Sequence, residues 1–138
     1  MAKEQLQLTI ATPLQTVYKK SVDQVTVTTS SGEITLLPRH IPLVSTLKTG
    51  KVMTRYHDQE DYIAIDGGVL EMKPDNSVVI LSDHSERAED IDKERAQQAY
   101  DEAKKAMENK SDADYSNLEH VMARELNRIN LAKRGERK

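Results

Sequence analysis

The chain of 138 residues contains no cysteine, no phenylalanine and no tryptophan. Without cysteine there are no disulfides, thiolate metal sites or thiol nucleophiles. Without the two largest apolar side chains, burial rests on Leu, Ile, Val, Ala and Met, helped by five Tyr. The hydrophobic share is 37%, enough for a small core and too little for a deep enzymatic cleft. No apolar run approaches the ~20 residues that span a bilayer. The opening Met1-Ala2-Lys3-Glu4 has no apolar signal region, so the expectation is a soluble, unprocessed, intracellular protein. Net charge is −3, which gives no argument for nucleic acid. His40, His57 and His84 lack metal-ligand spacing, and no glycine-rich phosphate loop follows a strand. Nothing here reads as a catalytic centre or requires a metal.

What is present divides near residue 86. Before it, apolar residues alternate with a period of two. Leu6, Leu8 and Ile10 alternate with Gln5, Gln7 and Thr9, a strand with one buried face, and Thr12-Pro13 ends it. Val22, Val25 and Val27 sit among threonines. Turns are expected at Ser30-Ser31-Gly32, Lys48-Thr49-Gly50, His57 to Asp61, Gly67-Gly68 and Pro74-Asp75-Asn76. Eight to ten short strands at this spacing predict an antiparallel β-sandwich or barrel over residues 1–86. Within it, two prolines flank a charged, histidine-bearing loop from Leu37 to Pro42. It reads either as an ordinary turn or as a docking loop whose prolines lower the cost of ordering.

After residue 86 the period approaches four and nearly half the residues are charged. Ala96, Ala99, Ala103 and Ala106 mark one helix, with Asp90 as the expected N-cap. Asn109 to Asp114 breaks the pattern. Ser116-Asn117-Leu118-Glu119 fits a capping box for a second helix. Leu118, Val121, Met122, Leu126 and Ile129 form its apolar stripe, and Gly135 is the expected stop. Residues 87–138 are therefore predicted to be an antiparallel two-helix hairpin. Asp92 and Arg95 lie three apart, and Arg124 and Arg128 four apart, so each pair shares a helix face. If the hairpin brings the three arginines together, they need carboxylates or a bound anion between them. The pattern alone leaves both possibilities open.

Four stretches in this order carry a resemblance to a known family. They are Gly32-Glu33 through Leu37-Pro38-Arg39-His40-Ile41-Pro42, Ile63 through Gly67-Gly68 to Glu71, Glu86-Arg87-Ala88 through Ile91-Asp92 to Arg95-Ala96, and Arg124 to Leu131. Over nearly its full length the chain resembles the ε subunits of bacterial F-type ATP synthases. The resemblance implies a ten-stranded sandwich followed by a helical hairpin, in a non-catalytic subunit of the rotating central stalk. It implies partners in the γ subunit, the c-ring and, when the hairpin extends, the α/β hexamer. It implies a peripheral place on the cytoplasmic face of the cell membrane, coupling of proton flow to ATP synthesis, and inhibition of ATP hydrolysis by the hairpin.

The resemblance further implies a regulatory ATP site. Ile91, Asp92, Arg95 and Ala96 match its motif, Glu86 with Asp92 matches the adenine side, and Arg124 and Arg128 match the arginines that meet the phosphates. Glu33 and His40 match the sandwich loop that faces the c-ring and γ. Three departures stand out. Glu102 occupies a position that is often basic in ATP-binding relatives, and Thr35 and Arg39 replace common glycines.

Overall fold

The computed structural model describes residues 4–108 and 112–136, with side chains described over residues 4–108 and 116–134. The chain forms two compact units, Met1–Arg87 and Ala88–Lys138.

Among the described residues the first unit has eight strands. They are β1 (Leu6–Ala11), β2 (Thr16–Val22), β3 (Gln24–Thr29), β4 (Gly32–Leu36), β5 (Leu43–Tyr56), β6 (Gln59–Met72), β7 (Ser77–Leu81) and β8 (Ser85–Arg87). They form one hydrogen-bonded sheet in the order β2-β1-β7-β6-β5-β3-β4, with β8 added to β6. The sandwich arises because β5 and β6 are long enough to serve both layers. Val69–Met72 of β6 pairs with β7, whereas Ile63–Ile65 pairs with β8. Counting each long strand twice gives the ten expected.

Two predicted turns are therefore corrected. Lys48-Thr49-Gly50 lies inside β5 and Gly67-Gly68 inside β6. Leu47 pairs with Gly68 and Thr49 with Asp66, so the register runs on unchanged past Lys48 and Gly67, the one opposed pair of these strands that forms no bridge. Gly67 and Gly68 have φ of 77° and 133°, which side chains rarely adopt. A Cβ on Gly68 would stand 2.2 Å from the Leu81 carbonyl oxygen. The glycines punctuate a bend rather than end a strand. The acidic turn is also shorter than expected: only His57 and Asp58 separate β5 from β6.

One pairing is parallel, β1 with β7, running from Gln7↔Ser77 to Ala11↔Leu81. Local turn signals cannot reveal it, because parallel neighbours are joined by remote connections. The core follows the alternation read from the sequence. Leu6, Leu8 and Ile10 of β1 pack with Val22, Val25, Val27, Leu36, Val52, Ile63, Leu70 and Ile80. At the β2 edge, the Tyr18 hydroxyl donates to Asp61 Oδ2 at 3.0 Å and meets Thr54 Oγ1 at 3.1 Å. Since its one proton goes to Asp61, Thr54 donates to it. This joins β2 to β5 and β6. Burial is the main cause that pushes the Tyr18 phenol up to about 12; the Thr54 hydrogen bond is next and pulls it down, the Asp61 carboxylate adds to the rise, and Arg87 opposes it least.

The second unit begins with a 3-10 turn, Ala88–Asp90, followed by α1 (Lys93–Glu108) and α2 (Asp112–Glu136). The two helices pack on each other. Asp90 is not the N-cap. Asp92 is, its Oδ1 accepting from the Arg95 N–H at 3.1 Å. Asp90 instead closes the 3-10 turn, where the Ile91 N–H donates to the Ala88 carbonyl.

Ala96 and Ala103 are buried on α1 as the spacing predicts. On α2 the expected boundaries move. Ser116 is inside the helix, since α2 already runs from Asp112. Gly135 lies in its last turn; a glycine weakens a helix without ending it. Of the break expected from Asn109 to Asp114, Asp112 to Asp114 are helical in α2, and Asn109, Lys110 and Ser111 lie outside the described residues. The apolar stripe shifts as well. Leu126 is 45% exposed, while Glu125 beside it is 3% exposed. The inward row reads Leu118, Met122, Glu125, Ile129, Ala132, at alternating spacings of four and three.

Candidate functional site

The residues singled out for a nucleotide site lie on both units. Glu86 is half-buried on β8, opposite Ala64 of β6. Ile91 and Ala96 are buried, and Asp92 is exposed with its carboxylate engaged as the cap of α1. A cap at this position fixes the start of α1, and the acidic group complements the helix dipole. Arg95 is exposed on the first turn, and among the described residues its guanidinium takes part in no ion pair.

Arg124 and Arg128, half-buried on α2, are gathered on one carboxylate. Glu125 Oε1 accepts from Arg124 Nε at 3.3 Å, and Oε2 accepts from Arg128 Nη1 at 2.9 Å. Both arginines make further interactions as well. The structure thus brings two of the three arginines together, through a carboxylate that sequence reasoning missed. The signal that would have found Glu125 is the spacing of Leu118, Met122, Ile129 and Ala132, into which position 125 falls. A charged residue there does not read as part of an apolar row.

An open groove runs along α1, lined by Ile91, Asp92, Gln97, Gln98, Asp101 and Glu102 among others. Glu102 is exposed and accepts from Gln98 Nε2 at 3.4 Å. Arg95, Arg124 and Arg128 do not line it. Its lining is acidic on balance, with Asp92, Glu94, Asp101 and Glu102 against Lys93 and Lys105, which disfavours phosphate. Among the described residues no group of His, Asp and Glu is arranged to hold a metal ion.

The two sandwich residues also separate. Glu33 is exposed on β4, an end strand of the sheet, rather than in a loop. His40 is in the loop between β4 and β5, with its Nδ1 2.8 Å from the Ile41 carbonyl oxygen. A carbonyl only accepts, so Nδ1 carries the proton and Nε2 is left to accept when the ring is neutral. Beside it, Arg39 has φ 71°, the conformation a glycine would supply. Its backbone N–H donates to Asn76 Oδ1 at 2.8 Å, and its guanidinium grips Glu4 at 2.7 and 3.0 Å. These contacts hold the left-handed backbone of a residue that carries a side chain. Leu37 and Ile41 of this loop are 51% and 74% exposed.

Comparison with known proteins gives a consistent picture. The family described as ATP synthase, Delta/Epsilon chain, beta-sandwich domain matches residues 5–88. The family described as ATP synthase, Delta/Epsilon chain, long alpha-helix domain matches residues 89–133. The ATP synthase epsilon chain of Halalkalibacterium halodurans is 38% identical over 94% of this chain and 98% of its own length. That of Bacillus subtilis is 38% identical over 92% and 96%. A chain of the Euglena gracilis mitochondrial ATP synthase shares the fold, with a TM-score of 0.78 and 23% identity over 89% of this chain and 78% of that one.

Proposed function

The chain belongs to the ATP synthase delta/epsilon family, and from that premise we propose that it is a non-catalytic rotor subunit of the central stalk whose helical unit regulates the enzyme in response to ATP. The observation that carries the first part is the match of both families, in order, over residues 5–133. In this role the sandwich binds γ and the c-ring, with Glu33 and the His40 loop facing them. The exposed Leu37 and Ile41 suit a contact surface there. The subunit is peripheral to the cytoplasmic face of the membrane through the complex. Its hairpin inhibits ATP hydrolysis when it extends towards the α/β hexamer.

The ATP-responsive part is supported by the paired guanidiniums of Arg124 and Arg128, already arranged around an anionic group. Arg95 supplies a third guanidinium on α1. Ile91, Asp92 and Ala96 form the start of that helix, and Glu86 with Asp92 supplies acceptors for the adenine amino group. Calorimetric titration of the full chain with ATP tests it. Heat of binding at or below millimolar ATP is expected, and none at that concentration removes the regulatory site. Arg95→Ala should weaken binding by about 1.5–3 kcal/mol, the range for a hydrogen bond to a charged group. Unchanged affinity removes Arg95 from the site.

A second reading is the same rotor subunit without a nucleotide site. Glu102, exposed in the acidic groove along α1, favours it. The same titration separates the two.

A further inference from the structure

We propose that Glu125 is a built-in competitor for the phosphate groups of ATP, and that it sets the concentration at which this chain responds. The inference rests on the regulatory reading above. Glu125 is 3% exposed and stands in a row otherwise made of Leu118, Met122, Ile129 and Ala132. A buried carboxylate is costly unless its oxygens are satisfied. Here each oxygen takes a different arginine, Oε1 from Arg124 and Oε2 from Arg128. One donor of each guanidinium that would grip phosphate, Arg124 Nε and Arg128 Nη1, is therefore already engaged by an acceptor from the same helix.

Phosphate cannot take those donors at full strength while the carboxylate keeps them. The exchange is feasible because one carboxylate offers two oxygens and one charge, whereas a triphosphate offers more of both. The affinity for ATP is then the intrinsic affinity of the arginines reduced by the strength of the internal ion pairs. A mono-anion gains too little to displace Glu125. The response is restricted to polyphosphate, and its threshold is raised.

Calorimetry on the full chain with ATP decides this, comparing the unsubstituted protein with Glu125→Gln and Glu125→Ala. Both variants keep a residue with good helix propensity, and circular dichroism checks that helicity is retained. The expected result is ATP binding at least about tenfold tighter in both, within the range for charge-assisted bonds. Unchanged or weaker binding, with the unsubstituted chain still binding, overturns the proposal and leaves the regulatory reading standing. A silent unsubstituted chain with binding variants supports the proposal and removes ATP sensing from the native chain. Silence in all three removes both.

If the variants lose helicity, the Arg124 Nε–H resonance of the unsubstituted protein gives the answer. It should shift as ATP saturates the chain. A resonance unmoved at saturation shows that the ion pair survives binding and overturns the proposal.

Discussion

At the scale of single residues, Tyr18 has the clearest energetic signature. Its hydroxyl is buried between Asp61 and Thr54, and the Arg87 guanidinium lies 5.7 Å from its ring centre. Burial raises the phenol to about 12 from an ordinary value of 10.0. The protonated form is the one the fold prefers. The stabilisation is therefore complete below pH 10 and is lost as pH rises from 10 to 12, where the unfolded chain has released a proton the folded chain still holds. Urea denaturation across that interval should show stability falling with pH. Tyr18→Phe should flatten that part of the slope and cost about 1–2 kcal/mol at neutral pH, for the hydrogen bonds lost and the polar groups left behind. An unaltered slope would assign the fall to other groups. Tyr18 was visible in the sequence only as one of five tyrosines. Its partner Asp61 is far along the chain, and no local pattern links them. Glu125 was hidden for a related reason: the burial of a charged side chain depends on neighbours that a periodicity count treats as apolar.

At the scale of elements, the strands were legible because alternation in β1 and β7 records directly which face is buried. The ends of the long strands were not. Glycine marks a change of backbone direction, and the sequence does not say whether the chain turns back or bends and continues. Gly68 continues. Its φ of 133° and the 2.2 Å approach of the Leu81 carbonyl to a Cβ leave no room for any side chain. Gly68→Ala should destabilise the sandwich by about 3 kcal/mol or more, combining backbone strain with a main-chain clash. Gly67→Ala has the milder φ of 77° and a nearest contact of 3.6 Å, so it should cost about 1–2 kcal/mol. Equal losses in a denaturant series would contradict the bend as described. The helix boundaries are not legible for a different reason. Asp90 and Asp92 are equally good caps by residue type, and only the 3-10 turn at Ala88–Asp90 decides between them. Ser116 resembles a cap, yet no proline or glycine precedes it to stop the helix from starting earlier.

At the scale of the whole molecule, all sixteen buried residues of the large apolar cluster belong to Met1–Arg87. The helical unit relies on alanines, Ile129, Leu131 and a satisfied ion pair. The two units should therefore differ in autonomy. A fragment of residues 1–87 should melt cooperatively, with a midpoint near that of the first unit in the full chain. A fragment of residues 88–138 should be largely unfolded at the same temperature, because polar helices that bury little apolar surface are marginal alone. A cooperative melt of the second fragment would show that its packing suffices by itself. This difference is what a regulatory element needs, a part that can rearrange while the rest stays folded.

The parallel pairing of β1 with β7 bears on how the first unit is made. Leu6–Ala11 is made well before Ser77–Leu81 and cannot complete its hydrogen bonds until that later strand exists. Hairpins such as β3–β4 and β5–β6 can form as soon as their own residues emerge. Of these strands, β1 is thus among the last to be locked in place. Until then one side of β1 remains an open edge, held by β2 alone. A nascent chain stalled before Ser77 would carry that edge exposed, and completion of β7 is the step that removes it.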